Sequence, residues 1–126
     1  MSTIRTNTLL HSDGTTTTQP SIPALDQRMA KAWVNFSGTG TVVIRDSYNV
    51  SSITDTGTGS FTANFTNAMT NTSYVVLSNT LMTSNFVTGQ TGSGSRTVNG
   101  CSLRTGRPDS GALWDGNWND ITIFSS

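Results

Sequence analysis

The sequence predicts an all-β protein: a β-sandwich or jelly-roll-like domain of seven to nine short antiparallel strands, preceded by an extended N-terminal arm. Three observations predict it. Thr, Ser and Asn supply 51 of the 126 residues, and Thr, being β-branched, suits a pleated, half-exposed surface. The strong helix formers are scarce, with no Glu at all and Lys31 as the single lysine. Short apolar runs are separated at close intervals by Gly-rich turn signals.

The elements follow in order. Residues 2–10 (STIRTNTLL) alternate, with Ile4, Thr6, Thr8 and Leu10 on one face and Thr3, Arg5, Asn7 and Leu9 on the other, which suits an extended strand. Ser12-Asp13-Gly14 is a turn signal, and residues 11–22 read as a polar linker. An arm of this kind, residues 1–22, has little core of its own, so its natural role is to dock on something else. Residues 23–31 form a connector. Pro23 at a first helical turn, followed by Ala, Leu, Gln, Arg and Met, predicts a short helix of two or three turns at best or an irregular connector.

The β-domain is expected over residues 32–126. Residues 32–37, 41–46, 48–54, 60–66 and 73–79 read as strands, with 81–88 and 97–103 as weaker ones and 120–125 as the last. Asp55-Thr56-Gly57-Thr58-Gly59 is a hairpin connection, because Gly supplies the positive φ that a tight turn requires. Phe61, Ala63 and Phe65 share one face of their strand. Trp33, lying in a strand, is expected in the core. Residues 89–95 read as a flexible exposed loop and a plausible second contact loop, and 104–118 as another long loop.

Composition bounds the function. Leu, Ile, Val and Phe make up 26 residues, a thin core for one domain, but the net charge is zero, so the pairing of low hydrophobicity with high charge that marks disorder is missing. Burial between subunits is a second source of stability, and assembly as a homo-oligomer is expected. Six Arg spread from Arg5 to Arg107 offer no clustered phosphate-binding stripe, so no nucleic acid is expected. No apolar run approaches the ~20 residues that span a bilayer, so no membrane insertion is expected. The opening MSTIRTNTLL has no apolar h-region, so no secretory signal is expected, and none of the four Asn-x-Ser/Thr sequons is read as glycosylated.

The block Ala30–Thr66, AKAWVNFSGTGTVVIRDSYNVSSITDTGTGSFTANFT, resembles a module of phage tail-fibre and related virion proteins. The matching parts are AKAWVNF-x-GTGTV-x-IRDS, NVSSITD and the D-x-GTG-x-F/Y-T-x-NF hairpin. The start, MSTIRTNTLLHSDGT, resembles the particle-proximal opening of such proteins, and the closing ITIF fits their last strand. Together these parts cover somewhat under half of the chain. The resemblance implies a homotrimeric structural component of a phage particle, made in the host cytoplasm and carried on the virion. Ile4, Arg5, Leu9 and Leu10 would then take part in docking the arm to other virion proteins, and exposed loops would meet a bacterial surface glycan or protein. The chain has no extended shaft between Gln19 and Ala30, which favours a short tail tip, a head fibre or a capping subunit over a long fibre.

Residues that carry chemistry are few. Glycoside hydrolysis takes two carboxylates, but here only Asp is available, and Asp109, Asp115 and Asp120 in Gly-rich surroundings read as turn formers. His11 lies far in sequence from Cys101, which reads as a small buried apolar residue. Gly38-Thr39-Gly40 and Gly57-Thr58-Gly59 are followed by strands, where a phosphate cradle needs a helix. An enzyme, a metal and a cofactor are therefore not expected. The segment Trp114-Asp115-Gly116-Asn117-Trp118 is the candidate receptor or glycan contact. Trp114 and Trp118 offer flat apolar faces, Asp115 and Asn117 offer hydrogen bonds to hydroxyls, and Arg104 and Arg107 suit anionic glycans. The competing reading puts both Trp in the core or a trimer interface. A tail fibre or fibre-tip subunit is thus the leading functional expectation, beside a head decoration protein and a carbohydrate-binding module.

Overall fold

A computed structural model describes residues 2–15, 22–81 and 88–125, with the backbone alone at 88–93. Among the described residues, eight strands form two antiparallel sheets packed around one core, the arrangement of a β-sandwich. They are β1 (Ala32–Ser37), β2 (Val43–Tyr48), β3 (Val50–Gly57), β4 (Ser60–Phe65), β5 (Val75–Leu81), β6 (Thr88–Thr97), β7 (Gly100–Gly106) and β8 (Trp118–Phe124). The first sheet runs β2-β1-β8-β5 and the second β6-β7-β4-β3. The strand β6 joins them. Gly89 and Thr88 pair with Thr80 and Leu81 of β5, while the stretch from Gln90 onward pairs with β7.

The inner parity of each sheet is apolar. Ala32, Val34 and Phe36 of β1 and Ile121 and Ile123 of β8 meet Phe61, Ala63 and Phe65 of β4 and Cys101 and Leu103 of β7. Phe36 and Phe61 cross the sandwich edge to face, centroids 5.2 Å apart. Tyr74 is buried with its ring edge to face on Phe65, and its hydroxyl donates toward the Gly100 carbonyl at 2.9 Å and the Thr97 carbonyl at 3.1 Å. A buried phenol needs such partners, because leaving its O–H unpaired would cost a large part of what the ring gains by burial.

At the far side from β6, the chain steps from β2 into β3 through Asn49 alone. Asn49 has φ +55°, a left-handed conformation that Asn tolerates better than most residues. Its side chain fixes the corner. Nδ2 donates to the Lys31 and Asn67 carbonyls, and Oδ1 accepts the Asn67 amide at 2.7 Å.

Several expectations change. Residues 2–10 are all exposed and form no strand, since among the described residues no strand lies alongside to offer their backbone a ladder. The helix shrinks to one turn, α1 (Pro23–Asp26); Ile22 at its N-cap has no side-chain acceptor, and none of its residues is buried. The expected loop at 89–95 lies inside β6 instead, because β5 and β7 supply backbone partners that glycines use as well as other residues do. Trp33 is not core. Ala32, Val34 and Phe36 occupy the inner parity of β1, so Trp33 points outward and is 36% exposed. The hairpin between β3 and β4 tightens to Thr58-Gly59. Residues 16–21 of the expected linker and 82–87 of a weak strand lie outside the described residues.

Candidate interaction surface

The outer faces of the two sheets have opposite chemistry. On the second sheet, Thr54, Thr62 and Ser102 make one cross-strand row, and Ser52, Asn64 and Gly100 the next. These side chains satisfy one another: Asn64 Nδ2 donates to Ser52 Oγ at 3.0 Å and to Thr54 Oγ1 at 2.9 Å.

On the first sheet, the register aligns Tyr48, Trp33, Thr122 and Leu77 across all four strands. Beside that row stands Val75 opposite Phe124, and at the other end Leu81 opposite Trp118. Between them lies one polar row, Asp46-Asn35-Asp120-Asn79, in which Asn35 Nδ2 donates to Asp120 Oδ1. Leu77 is 57% exposed, and Trp33, Tyr48, Val75, Leu81 and Trp118 are exposed with it. A scattered exposed apolar residue needs no explanation, but several gathered on one sheet face, here on either side of the polar row, mark a candidate interaction site.

The predicted glycan-contact residues divide among several places. Trp118 opens β8 on the outer face of the first sheet, with the Arg45 guanidinium stacked 3.8 Å over its ring. Arg45 also donates to the Asn117 carbonyl at 2.8 Å, and Ser37 Oγ donates to Asn117 Oδ1. Trp114 lies in the loop after β7, covered on one side by Arg107 at 4.7 Å. Its backbone is held by Thr105, whose carbonyl accepts the Trp114 amide and whose hydroxyl donates to the Trp114 carbonyl. Asp115 accepts the Gly59 amide at 2.6 Å, tying this loop to the β3–β4 hairpin. Gly59 has φ +62°, and an added Cβ would strike Thr105 and Trp114 backbone atoms. Arg104 lies opposite Ser60 on the second sheet, facing away from Trp118. Trp114 and Arg107 are thus brought together, and Trp118 is given a different arginine.

Below Trp118, Asn119 turns inward and is fully buried. Nδ2 donates to the Gly116 carbonyl at 2.8 Å, and Oδ1 accepts Thr80 Oγ1 at 2.6 Å. This network anchors the end of the loop to β5 and β8.

The arm residues Ile4, Arg5, Leu9 and Leu10 are exposed, Ile4 to 90%. Burial pushes the Cys101 thiol up to about 11, so at neutral pH it stays protonated and poorly nucleophilic. Among the described residues, no group of three or more His, Cys, Asp or Glu side chains is arranged to hold a metal ion, and no helix is long and apolar enough to cross a membrane.

Trp33, Tyr48, Val75, Leu77 and Arg45 were not singled out from the sequence as surface residues. The signal for Trp33 was present: in AWVNFS the parity Ala32-Val34-Phe36 is uniformly apolar, whereas Trp33 alternates with Asn35 and Ser37. For Val75 and Leu77 no such signal exists, because both parities of β5 are partly apolar.

No protein-family model matches the chain, and neither a curated protein nor a solved structure is significantly similar to it.

Proposed function

We propose that this chain is a structural subunit of a bacteriophage particle, a tail-fibre or fibre-tip protein that assembles as a homotrimer and contributes to attachment at the host surface. The observation that carries this reading is the apolar outer face of the first sheet. A subunit built into an assembly has a use for such a face, whereas a solitary soluble domain is left with an exposed liability. The resemblance in residues 30–66 supports the phage assignment, and those residues form β1 to β4 together with the Asn49 corner. The exposed residues Ile4, Arg5, Leu9 and Leu10 suit an arm whose partner is another virion protein.

Immunogold labelling of purified particles of the encoding phage tests the reading. Label at the tail tip supports it. Label on heads, including heads without tails, moves the protein to the head-decoration class, and absence from purified particles removes the virion assignment.

A glycan-binding reading is favoured by one observation, the exposed Trp114 with Arg107 stacked on it. It requires that Trp114→Ala with Trp118→Ala abolish glycan binding while the melting temperature stays unchanged.

A further inference from the structure

We infer that residues 2–10 of the arm add as a further strand to the open edge of β5 in the same chain, running antiparallel to Val75–Asn79. The inference concerns the free subunit and goes beyond the proposed function: a virion protein that takes the arm displaces it from this edge.

The edge is regular and unprotected. β5 pairs with β8 at every residue from Val75 to Leu81. On its other side, among the described residues, it pairs with β6 only at Thr80 and Leu81, because β6 then crosses to the second sheet. Exposed edges are ordinarily blunted by bulges, charge or proline. The terminal strands β2 and β3 are bulged, with Arg45 as the extra residue on one and Ser51 and Thr56 on the other. Val75-Val76-Leu77-Ser78-Asn79 has none of these devices. Just before the edge, the Arg96 guanidinium donates to the Tyr74 carbonyl at 3.2 Å, so a side chain there serves a backbone group that a neighbouring strand would serve.

The arm is the matching segment. Residues 2–10 alternate, contain no Gly, Pro or acidic residue, and are exposed, Ile4 to 90% and Leu9 to 61%. Strand addition suits such a segment, because main-chain hydrogen bonds supply the affinity and alternate side chains the register.

Chain geometry sets the direction. Ala32, where the connector enters the sheet, shares a row with Ile123 and Val76. The entry point is therefore two strand spacings from the edge, about 10 Å, and at its Val75 end. Residues 11–31 span this easily at about 3.3 Å per extended residue. Leu10 then lies at the Val75 end and Ile4 at the Thr80 end, which is the antiparallel direction. So short a tether gives the arm an effective concentration of about 1 mM at its own edge, ahead of any other copy at micromolar concentration.

Charge sets the register. The row Asp46-Asn35-Asp120-Asn79 carries two acidic residues and no basic one. Arg5 is the charged side chain of residues 2–10. Opposite Asn79, Arg5 extends this row with the opposite sign and keeps its guanidinium in water. Leu9 then stands beside Val75 and Asn7 beside Leu77, while Thr6 and Thr8 turn inward.

The test uses the full chain. Asn7→Cys with Leu77→Cys places two thiols at opposed positions, about 4.5–5.5 Å between Cα atoms, inside the range of a disulfide. Cys101, buried and protonated at neutral pH, stays out of the reaction. Under mild oxidation this pair is expected to close within one chain at least about tenfold faster than Asn7→Cys with Thr62→Cys, whose second thiol is on the other sheet. Equal rates, or a disulfide formed only between chains, overturn the inference. A second measurement needs no engineered thiol. Thr6→Pro with Asn7→Pro removes a ladder donor of each parity from an exposed segment, so the sandwich itself is left intact. Hydrogen exchange within Val75–Asn79 is expected to be at least about tenfold faster in this variant than in the wild type, and unchanged exchange overturns the inference. Neither outcome touches the virion assignment, which particle labelling tests separately.

Discussion

The two sheets of this sandwich share one core and similar strand lengths, yet their outer faces are built from different chemistry. On the second sheet the outward positions are Ser52, Thr54, Thr62, Asn64 and Ser102, and Asn64 closes hydrogen bonds to two of its neighbours. On the first sheet the same kind of position holds Trp33, Tyr48, Leu77 and Trp118, on either side of the one polar row Asp46-Asn35-Asp120-Asn79. The polar face is complete in the isolated chain, because its side chains bond to each other and to water. The apolar face is not, because water is a poor partner for it. In a chain with so few large apolar residues, placing all three Trp outside the core, two of them on this face, leaves part of its hydrophobic free energy for association rather than for folding.

The largest expected effect separates the interior from that outer face. Phe61→Ala empties the centre of the core and is expected to destabilise the fold by about 3–5 kcal/mol in urea unfolding. Trp33→Ala, one aromatic deletion of comparable size on the outer face, is expected to cost the monomer less than about 1 kcal/mol while weakening assembly. Equal losses from the two substitutions would break the contrast between buried and exposed aromatics.

Next comes the polar anchor beneath Trp118. Asn119→Ala removes the buried acceptor of the Thr80 hydroxyl and one of two donors to the Gly116 carbonyl, which keeps the Gly38 amide, and is expected to cost about 1–3 kcal/mol, read as a fall in melting temperature.

A third measurement follows pH. The Cys101 thiol is held at about 11, above its unfolded value, by burial, and burial also raises Tyr74. In the unfolded chain the thiol ionises first, so its contribution is fully present below the unfolded pKa and is lost as pH rises toward the folded one. Stability is expected to fall above about pH 9, by at most about 1.4 kcal/mol per pH unit for this group. Cys101→Ala should flatten that part of the profile, and an unchanged profile would show that the thiol is not the titrating group.

The smallest effect concerns the rim. Arg45→Ala removes the guanidinium from the Trp118 ring and should change stability by about 0.5 kcal/mol, with a clear shift in tryptophan fluorescence.

Much of the architecture was legible from residues alone. The Thr-rich, Glu-free composition and the Gly57–Gly59 turn point to antiparallel strands, and the parity of Phe61, Ala63 and Phe65 identifies their buried face. The strand at 88–97 was not legible, because Gly89 and Gly92 carry no side-chain signal and their place in the strand comes from backbone pairing with β5 and β7. The candidate contact was legible only in part. Trp114, Trp118 and Arg107 stood out by type, but the pairing of Trp118 with Arg45 joins residues far apart in sequence.

What the sequence by itself determined is the β class, the positions of most turns and the alternation within β1, β4 and β8, because a period of two and the needs of tight turns are local properties. What only the tertiary structure decided is the choice of which outward residues of separate strands stand side by side. That choice depends on strand order and register, which bring Tyr48, Trp33, Thr122 and Leu77 into one row from four separate parts of the chain. No local pattern contains such a row, since it is created by hydrogen bonding between strands and not by the spacing of residues along any one of them.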